Sequence, residues 1–341
     1  LVAAAVPPTA LPLNIDTRLD GAVLLFNLAA AGMAAILAGL APALQATKPD
    51  VAPTLKDGAL GGTGAGGRMS LRGSLVALQV AVSMVLLVTG GLFVRSMMAV
   101  QEVDPGFTTR EAALLWVDLG VSGVPRDEWP EVARTLKDRA RGLPGVEAVA
   151  VSNGIQLSES LWQAAFTIPG VEPPPGEEAH RTHYLAVDEG YLETMGIRLV
   201  AGRGIDASDR AETEPVVVAS EAAADRYWPG ADPLGRLVEA EGWDQPFRVV
   251  GVARNTKVAN LREGEEPLFY FPWPQFQRRT SQLWITARVG TPAAETVAGL
   301  RRLVRELDAD LVVVQAKTLR DQLDLALFLP RLGGLILGLF G

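Results

Sequence analysis

The residues that could do chemistry in this chain are few. His180 and His183 are its only histidines and stand at HxxH spacing, which can offer two imidazoles to one metal ion when both lie on one helix face. The stretch around them reads as a strand, where residues three apart point to opposite faces. With no cysteine in the chain and no evident third ligand, the two are expected to be surface polar residues. Glu177 and Glu178, and Glu263, Glu265 and Glu266, are carboxylate groups flanked by Pro and Gly and are expected in solvated loops. Gly62, Gly64 and Gly67 satisfy a formal GxGxxG, but that fingerprint must follow a strand and open a helix within a βαβ unit. Here it follows an amphipathic tail and precedes an apolar run, so a flexible linker is the expectation. No GxxxxGK[ST] occurs, and no Ser/His/Asp spacing suggests a hydrolase. The chain is expected to be non-enzymatic, without catalytic, metal or cofactor sites, and to work by interaction.

The elements around these residues explain the scarcity. Gly21–Thr47 and Gly73–Val94 are charge-free apolar stretches, and a third begins at Leu332 and is still running at Gly341. About 20 apolar residues span a hydrocarbon core, so two stretches qualify as membrane helices and the third is half of one. Roughly 230 mixed residues, enough for one or two domains, lie between the second and third. A start at Leu1 and an end inside an apolar run lead to the expectation that the natural protein is longer. Leu1–Thr9 lacks the basic leader of a signal peptide.

Charge sets the expected orientation. The protein has a formal charge of −8, 48% hydrophobic residues and a mean hydropathy of +0.20. Met97–Leu327 holds 24 Lys+Arg against 35 Asp+Glu. So acidic a domain speaks against nucleic acid and against docking on an anionic leaflet. The short loop between the spans carries Lys48, Lys56, Arg68 and Arg72 against Asp50 and Asp57. Such loops stay in the cytoplasm, which puts the large domain outside, with Arg95 snorkelling at the outer end of the second span. Neither span contains an ionisable residue, and small residues such as Ala34, Ala35, Ala38 and Gly39 favour close helix packing over an ion path.

Within the large domain, strands are expected at Ala112–Leu119, Val146–Ser152, Pro215–Ala219, Phe247–Val252, Leu283–Val289 and Leu311–Gln315. Glu128–Arg141 reads as a helix with Trp129, Val132, Ala133, Leu136 and Ala140 on one face, stopped by Gly142 and Pro144. Asp188 is a candidate cap for a short helix carrying Tyr191, Leu192 and Met195, and Ser220 for Glu221–Trp228. Thr291-Pro292 opens a helix whose buried face is expected to hold Val297, Leu300, Val304 and Leu307. The mixture implies an α+β domain, and Phe166–Pro274, richer in strand and turn, is a candidate separate lobe.

Arg72–Phe107, RGSLVALQVAVSMVLLVTGGLFVRSMMAVQEVDPGF, resembles the opening span of MacB/FtsX-type permeases of ATP-binding cassette (ABC) transporters, and most of all the tandem-repeat subgroup in which two permease units are fused. The matching elements there are Gln79, Leu86-Leu87, Gly91-Leu92, Arg95-Ser96 and Asp104-Pro105-Gly106-Phe107. Further on, Met195-Gly196-Ile197, Ala201-Gly202-Arg203, Asp206, Trp228-Pro229-Gly230, Asp232-Pro233-Leu234-Gly235 and Val249-Val250-Gly251-Val252 match the family's periplasmic core domain, as do Pro272, Gln275 and Thr318-Leu319. Ser220 and Ala253-Arg254 depart from the common Asn and Val-Gly, which leaves individual contacts open.

The resemblance implies a layout. Residues 1–44 end a preceding permease unit, 45–72 form a cytoplasmic Gly-rich linker and 73–95 a membrane helix. Residues 96–326 form a MacB-like periplasmic core domain, a porter-like α/β lobe with an inserted β-rich lobe, and 327–341 start the next span. It implies a non-catalytic permease subunit in the bacterial inner membrane, with a cytoplasmic ATPase partner that binds the ATP, and it admits a periplasmic adaptor. Efflux, antimicrobial peptide transport and mechanotransmission are functions of relatives. The alternatives from other classes are a transmembrane sensor with an extracytoplasmic ligand-binding domain and a membrane-anchored hydrolase.

Overall fold

A computed structural model describes residues 32, 71–101, 104–108, 111–158, 161–261, 263–276 and 280–324, without the side chains of 71–75, 86, 93–94 and 96–101. The expected span at Gly21–Leu44, the linker up to Ser70 and the span from 327 onward lie outside the described residues. The chain divides into two compact units, residues 11–84 and residues 1–10 with 85–341.

Helix α1, Leu71–Gln101, has 31 residues and belongs partly to each unit. Its apolar side chains from Val76 to Leu92 point outward all around, with Val76, Leu78, Val82, Met84 and Leu87 between 50% and 74% exposed. Among the described residues no helix is long and apolar enough to cross a membrane. The described apolar side chains, Val76–Leu92 without Leu86, fall short of the about 20 residues a span needs.

The folded domain begins with a frame of four strands. β1 (Ala112–Asp118), α2 (Trp129–Arg141) and β2 (Val146–Ser152) come first in the chain. β10 (Gln282–Val289), α6 (Ala293–Leu307) and β11 (Val312–Thr318) come last. The strands lie in the order β11-β1-β10-β2, all antiparallel. This is the split βαβ arrangement of a ferredoxin-like fold, with residues 153–281 inserted between its second and third strands. Ala133, Leu136 and Ala140 of α2 and Leu300, Leu303 and Val304 of α6 cover one face of the frame.

The insertion supplies β3 (Trp162–Thr167), β4 (His180–Val187), α3 (Tyr191–Thr194), β5 (Leu199–Gly202), β6 (Val216–Ser220) and α4 (Glu221–Tyr227). After these come β7 (Leu237–Ala240), β8 (Phe247–Ala253), β9 (Leu268–Pro272) and α5 (Trp273–Phe276). The pairings β4-β3-β7-β8-β6-β9 return to β4 through a parallel β4–β9 ladder, so six strands close a ring. Closure removes the exposed edges of these strands. Inside the ring, Phe271 stacks on Phe276 at 4.1 Å and meets Phe247 edge-on at 4.7 Å.

The ring is less separate than the sequence suggests. β2 pairs with β4 at Ser152–Val187, and the ring interior and the helix-covered face of the frame form one continuous apolar cluster. A second cluster packs the opposite faces, with Leu114, Trp284, Leu185, Tyr191 and Tyr270.

Two helix readings are corrected. The α6 face is set by Ala293, Thr296, Gly299, Leu300, Leu303 and Val304, whereas Val297 and Leu307 are only partly buried. Gly299 faces Leu143, whose methyl groups would lie 3.4 Å from a Cβ placed there. Asp188 is not the cap of α3: Gly190 stands at that position and no side chain caps the helix. Ser220 does cap α4, its Oγ accepting from the Ala223 N–H at 3.1 Å.

Candidate functional site

The motif residues fall into two groups and a remainder on α1. The first group is the turn by which the chain enters the domain. Asp104 Oδ1 accepts from the Gly106 N–H at 2.9 Å, and Gly106 takes φ +80°. A Cβ there would lie 2.1 Å from the Asn255 carbonyl oxygen, so only glycine lets the two backbones meet. The Pro105 carbonyl accepts from Lys257 N–H at 2.8 Å, and Phe107 is buried in the second cluster. Thr108 N–H donates to the Met195 carbonyl at 2.7 Å, beside Gly196.

The second group locks β5 against β8. Gly202 and Gly251 are register partners. A Cβ on Gly251 would stand 2.0 Å from the Arg203 carbonyl oxygen, and one on Gly202 2.2 Å from that of Val250. Arg203 then turns its guanidinium onto Asp209, with both nitrogens at 2.8 Å, and Asp209 also accepts from the Asp206 N–H at 2.9 Å. The motif acid Asp206 is the weaker partner, 3.3 Å from Arg203 and half exposed. Asp209 was not legible as a site residue, because only the fold of 204–209 brings it under Arg203. Pro229, Gly230, Pro233 and Gly235 shape the turn from α4 to β7, where the Gly235 N–H donates to the Val249 carbonyl at 2.8 Å.

The remaining motif residues lie on α1, where Gln79 and Arg95 are exposed and the Ser96 side chain is outside the description.

The exit from the domain mirrors its entry. Thr318 Oγ1 accepts from the Asp321 N–H at 3.0 Å while Asp321 Oδ2 accepts from the Thr318 N–H at 3.0 Å, a reciprocal capping box. Leu319 is buried in the second cluster. Gln322, also buried, donates to the Leu157 carbonyl, and Leu157 N–H donates to the Val258 carbonyl at 2.7 Å. Leu157 is the one described non-glycine residue at positive φ, +56°.

A buried ion cluster sits where frame and insertion join. Lys137 of α2 reaches Asp188 at 2.7 Å and Glu189 at 2.8 Å, with the Lys137 and Asp188 side chains each 8% exposed. Asp188 also accepts from Val151 N–H of β2 at 2.9 Å and from Gly190 N–H at 3.2 Å. Burial pushes the Asp188 carboxyl up to about 6, against the pull of Lys137. Lys137 lies on the same helical stripe as Ala133 and Ala140, which marked it as a charge on a buried face.

The polar groups singled out by type do not assemble into a reactive centre. His180 is buried, not surface: it meets Tyr227 edge-on at 5.0 Å. His183, on the opposite face of β4, contacts Gln163 at 2.9 Å, and burial lowers its pKa despite Glu263 and Glu266 nearby. Among the described residues no group of three or more His, Cys, Asp or Glu could hold a metal ion. Glu177 and Glu178 line an open groove of about 880 Å³ with Glu239, Glu241, Asp244 and Arg181. Glu263 lies in a loop as expected and is half-buried; its carboxylate accepts from the backbone N–H groups of Val258, Ala259 and Asn260. Short-range spacing hides this, since the donors lie in a loop with no repeating pattern.

The domain is a ferredoxin-like frame carrying a closed strand ring, with glycine contacts at its entry and a cap at its exit. Residues 74–303 match the family model of the MacB-like periplasmic core domain, and the chain belongs to that family, as a MacB-like ABC transporter permease. Over 94 residues it is 33% identical to an uncharacterized ABC transporter permease, YvrN, of Bacillus subtilis (strain 168), a match covering 26% of this chain and 22% of that protein. The periplasmic region of MacB from Actinobacillus actinomycetemcomitans is 15% identical, with 63% of this chain and 92% of that one covered at a TM-score of 0.42. The extracellular domain of the noncanonic ABC-type transporter YknZ from Gram-positive bacteria is 18% identical, with 60% and 99% covered at 0.40.

Proposed function

We propose that this protein is the permease subunit of an ATP-driven export or mechanotransmission system, multi-pass in the cytoplasmic membrane with the acidic domain facing outward. A partner ATPase supplies the energy in this reading, these residues themselves carrying no P-loop, and a periplasmic adaptor is a further candidate partner. α1 crosses the bilayer over 73–95, where 22 residues carry no charge. The observation that carries the reading is the fastening of both chain ends to the inserted lobe, through Pro105–Lys257 on one side and Gln322–Leu157 on the other. Anchors at both ends let a small displacement of flanking helices bias a two-state domain.

The test is purification of the full-length protein from its own host in mild detergent. An ATPase subunit is expected to co-purify, and its hydrolysis rate is expected to change on reconstitution with the permease. Protease added outside spheroplasts is expected to cut within 104–324 and spare the glycine tract 58–67. The opposite cleavage pattern, or a permease that never associates with an ATPase, would sink the proposal.

A further inference from the structure

The segments 104–108 and 318–324 lead into and out of the domain. Both connect to one loop of the inserted lobe, the entry segment directly and the exit segment by way of Leu157, while Thr108 also donates to the Met195 carbonyl. On the entry side Lys257 N–H donates to the Pro105 carbonyl at 2.8 Å, Arg254 stands 3.1 Å from Asp104, and the Asn255 carbonyl fills the space that Gly106 leaves. On the exit side Gln322 holds Leu157, and Leu157 N–H donates to the Val258 carbonyl at 2.7 Å.

The loop has no ladder of its own. Its shape depends on the Glu263 carboxylate, which gathers the N–H groups of Val258, Ala259 and Asn260, the last two at 3.0 Å, while Lys257 Nζ donates to the Glu263 carbonyl at 2.6 Å. Hydrogen bonds to an ionised acceptor are about twice as strong as neutral ones, so one side chain organises three backbone groups. Beneath the loop the packing is adaptable. Thr256 stands 3.3 Å from the Tyr270 hydroxyl, Tyr191 donates to Gln156 at 2.7 Å, and buried atoms of Gln156 and Gln322 have no partner. A buried polar atom without a partner is costly, so a second arrangement that pairs it gains a hydrogen bond.

We propose that loop 254–261, held in shape by Glu263, is the element that passes displacement of the flanking segments to the inserted lobe, with Glu263 as its positioning residue. The inference rests on the transmission reading above and names the place in the domain where it acts.

The test uses the full-length permease with its co-purified ATPase. The chain has no cysteine, so Val121→Cys on the frame and Glu178→Cys on the lobe accept spin labels at single sites. Addition of a non-hydrolysable nucleotide is expected to change the label-to-label distance in the otherwise unaltered protein. Glu263→Gln is expected to abolish that change while ATPase binding and hydrogen-exchange protection of β1 and β10 persist. Exchange at Val258–Asn260 is expected to rise about tenfold, the loss of one charged hydrogen bond. Should Glu263→Gln unfold the frame, Asp104→Ala combined with Gln322→Ala carries the same expectation from outside the clasp. A distance change that survives either variant overturns this inference and leaves the transmission reading standing. An unaltered protein that shows no nucleotide response overturns both.

Discussion

The two apolar clusters of the domain are built from different materials. In the cluster shared by the ring interior and the helix-covered frame, Phe166, Phe247, Phe269, Phe271 and Phe276 pack ring to ring, and the polar side chains buried on its faces include Lys137, His180, Thr182 and Thr296. The cluster on the opposite faces, which receives Phe107 on entry and Leu319 on exit, is threaded with polar groups. Tyr191, Tyr270, Gln156, Gln322 and Thr286 are buried there, and Gln156 Nε2, Gln322 Oε1, Thr286 Oγ1 and Trp284 Nε1 have no protein partner. A buried polar atom left without a partner bears the cost of its lost hydration, so the second cluster holds desolvation that its packing does not offset. In the transmission reading proposed above, it is also the cluster that receives both flanking segments, through Phe107 and Leu319.

The comparison can be broken by substitution. Phe271→Ala in the first cluster is expected to cost about 3–5 kcal/mol, read as a large fall in the thermal midpoint of the near-ultraviolet circular dichroism. A loss under about 1 kcal/mol would mean that the ring interior is as adaptable as the other side. At the joint between frame and insertion, the effect depends on pH. The Asp188 carboxyl sits at about 6 in the folded protein against 3.8 for the free group. The native state therefore holds a proton that the unfolded chain gives up. Its stabilising contribution is complete below about pH 4 and is lost as pH rises through about 6. Relative to Asp188→Asn, the wild type is expected to lose on the order of 3 kcal/mol across that window. Parallel curves for the two proteins would remove the shifted group from the account.

Smaller effects sharpen the contrast. Thr286→Val replaces a buried hydroxyl that has no partner with a methyl of the same shape, and is expected to stabilise by about 1 kcal/mol. A destabilisation would reveal an unseen partner, such as a bound water. Arg254→Ala breaks an exposed pair, Asp104 being 62% and Arg254 43% exposed, and is expected to change stability by less than about 1 kcal/mol. Chemical denaturation of the full chain measures both.

Much of the local structure was legible. Val146–Ser152 is a strand end to end, and Glu128–Arg141 declares its helix through the apolar stripe from Trp129 to Ala140. Ser220 ahead of Glu221 was readable as a cap because its donor is three residues away. Asp188 was misread for the converse reason. Its main partner, Lys137, is 51 positions earlier, and a long-range ion pair leaves no trace in local spacing. Gly202 and Gly251 were visible as motif glycines, yet the reason for each is the backbone of the other's strand. Glu263 looked like one of three loop carboxylates; which one gathers the backbone depended on how the loop closes.

The sequence by itself determined where strands and helices form, where charge-free runs long enough to enter a bilayer lie, and that no P-loop is present, because periodicity, composition and short motifs are local properties. The tertiary structure decided that β4 meets β9 to close the ring, that Lys137 and Asp188 lose water together, and that entry and exit share one loop. Periodicity says which face of an element is buried and nothing about what lies opposite. Those partners are chosen by packing and desolvation across the whole domain, and the transmission proposed here depends on them.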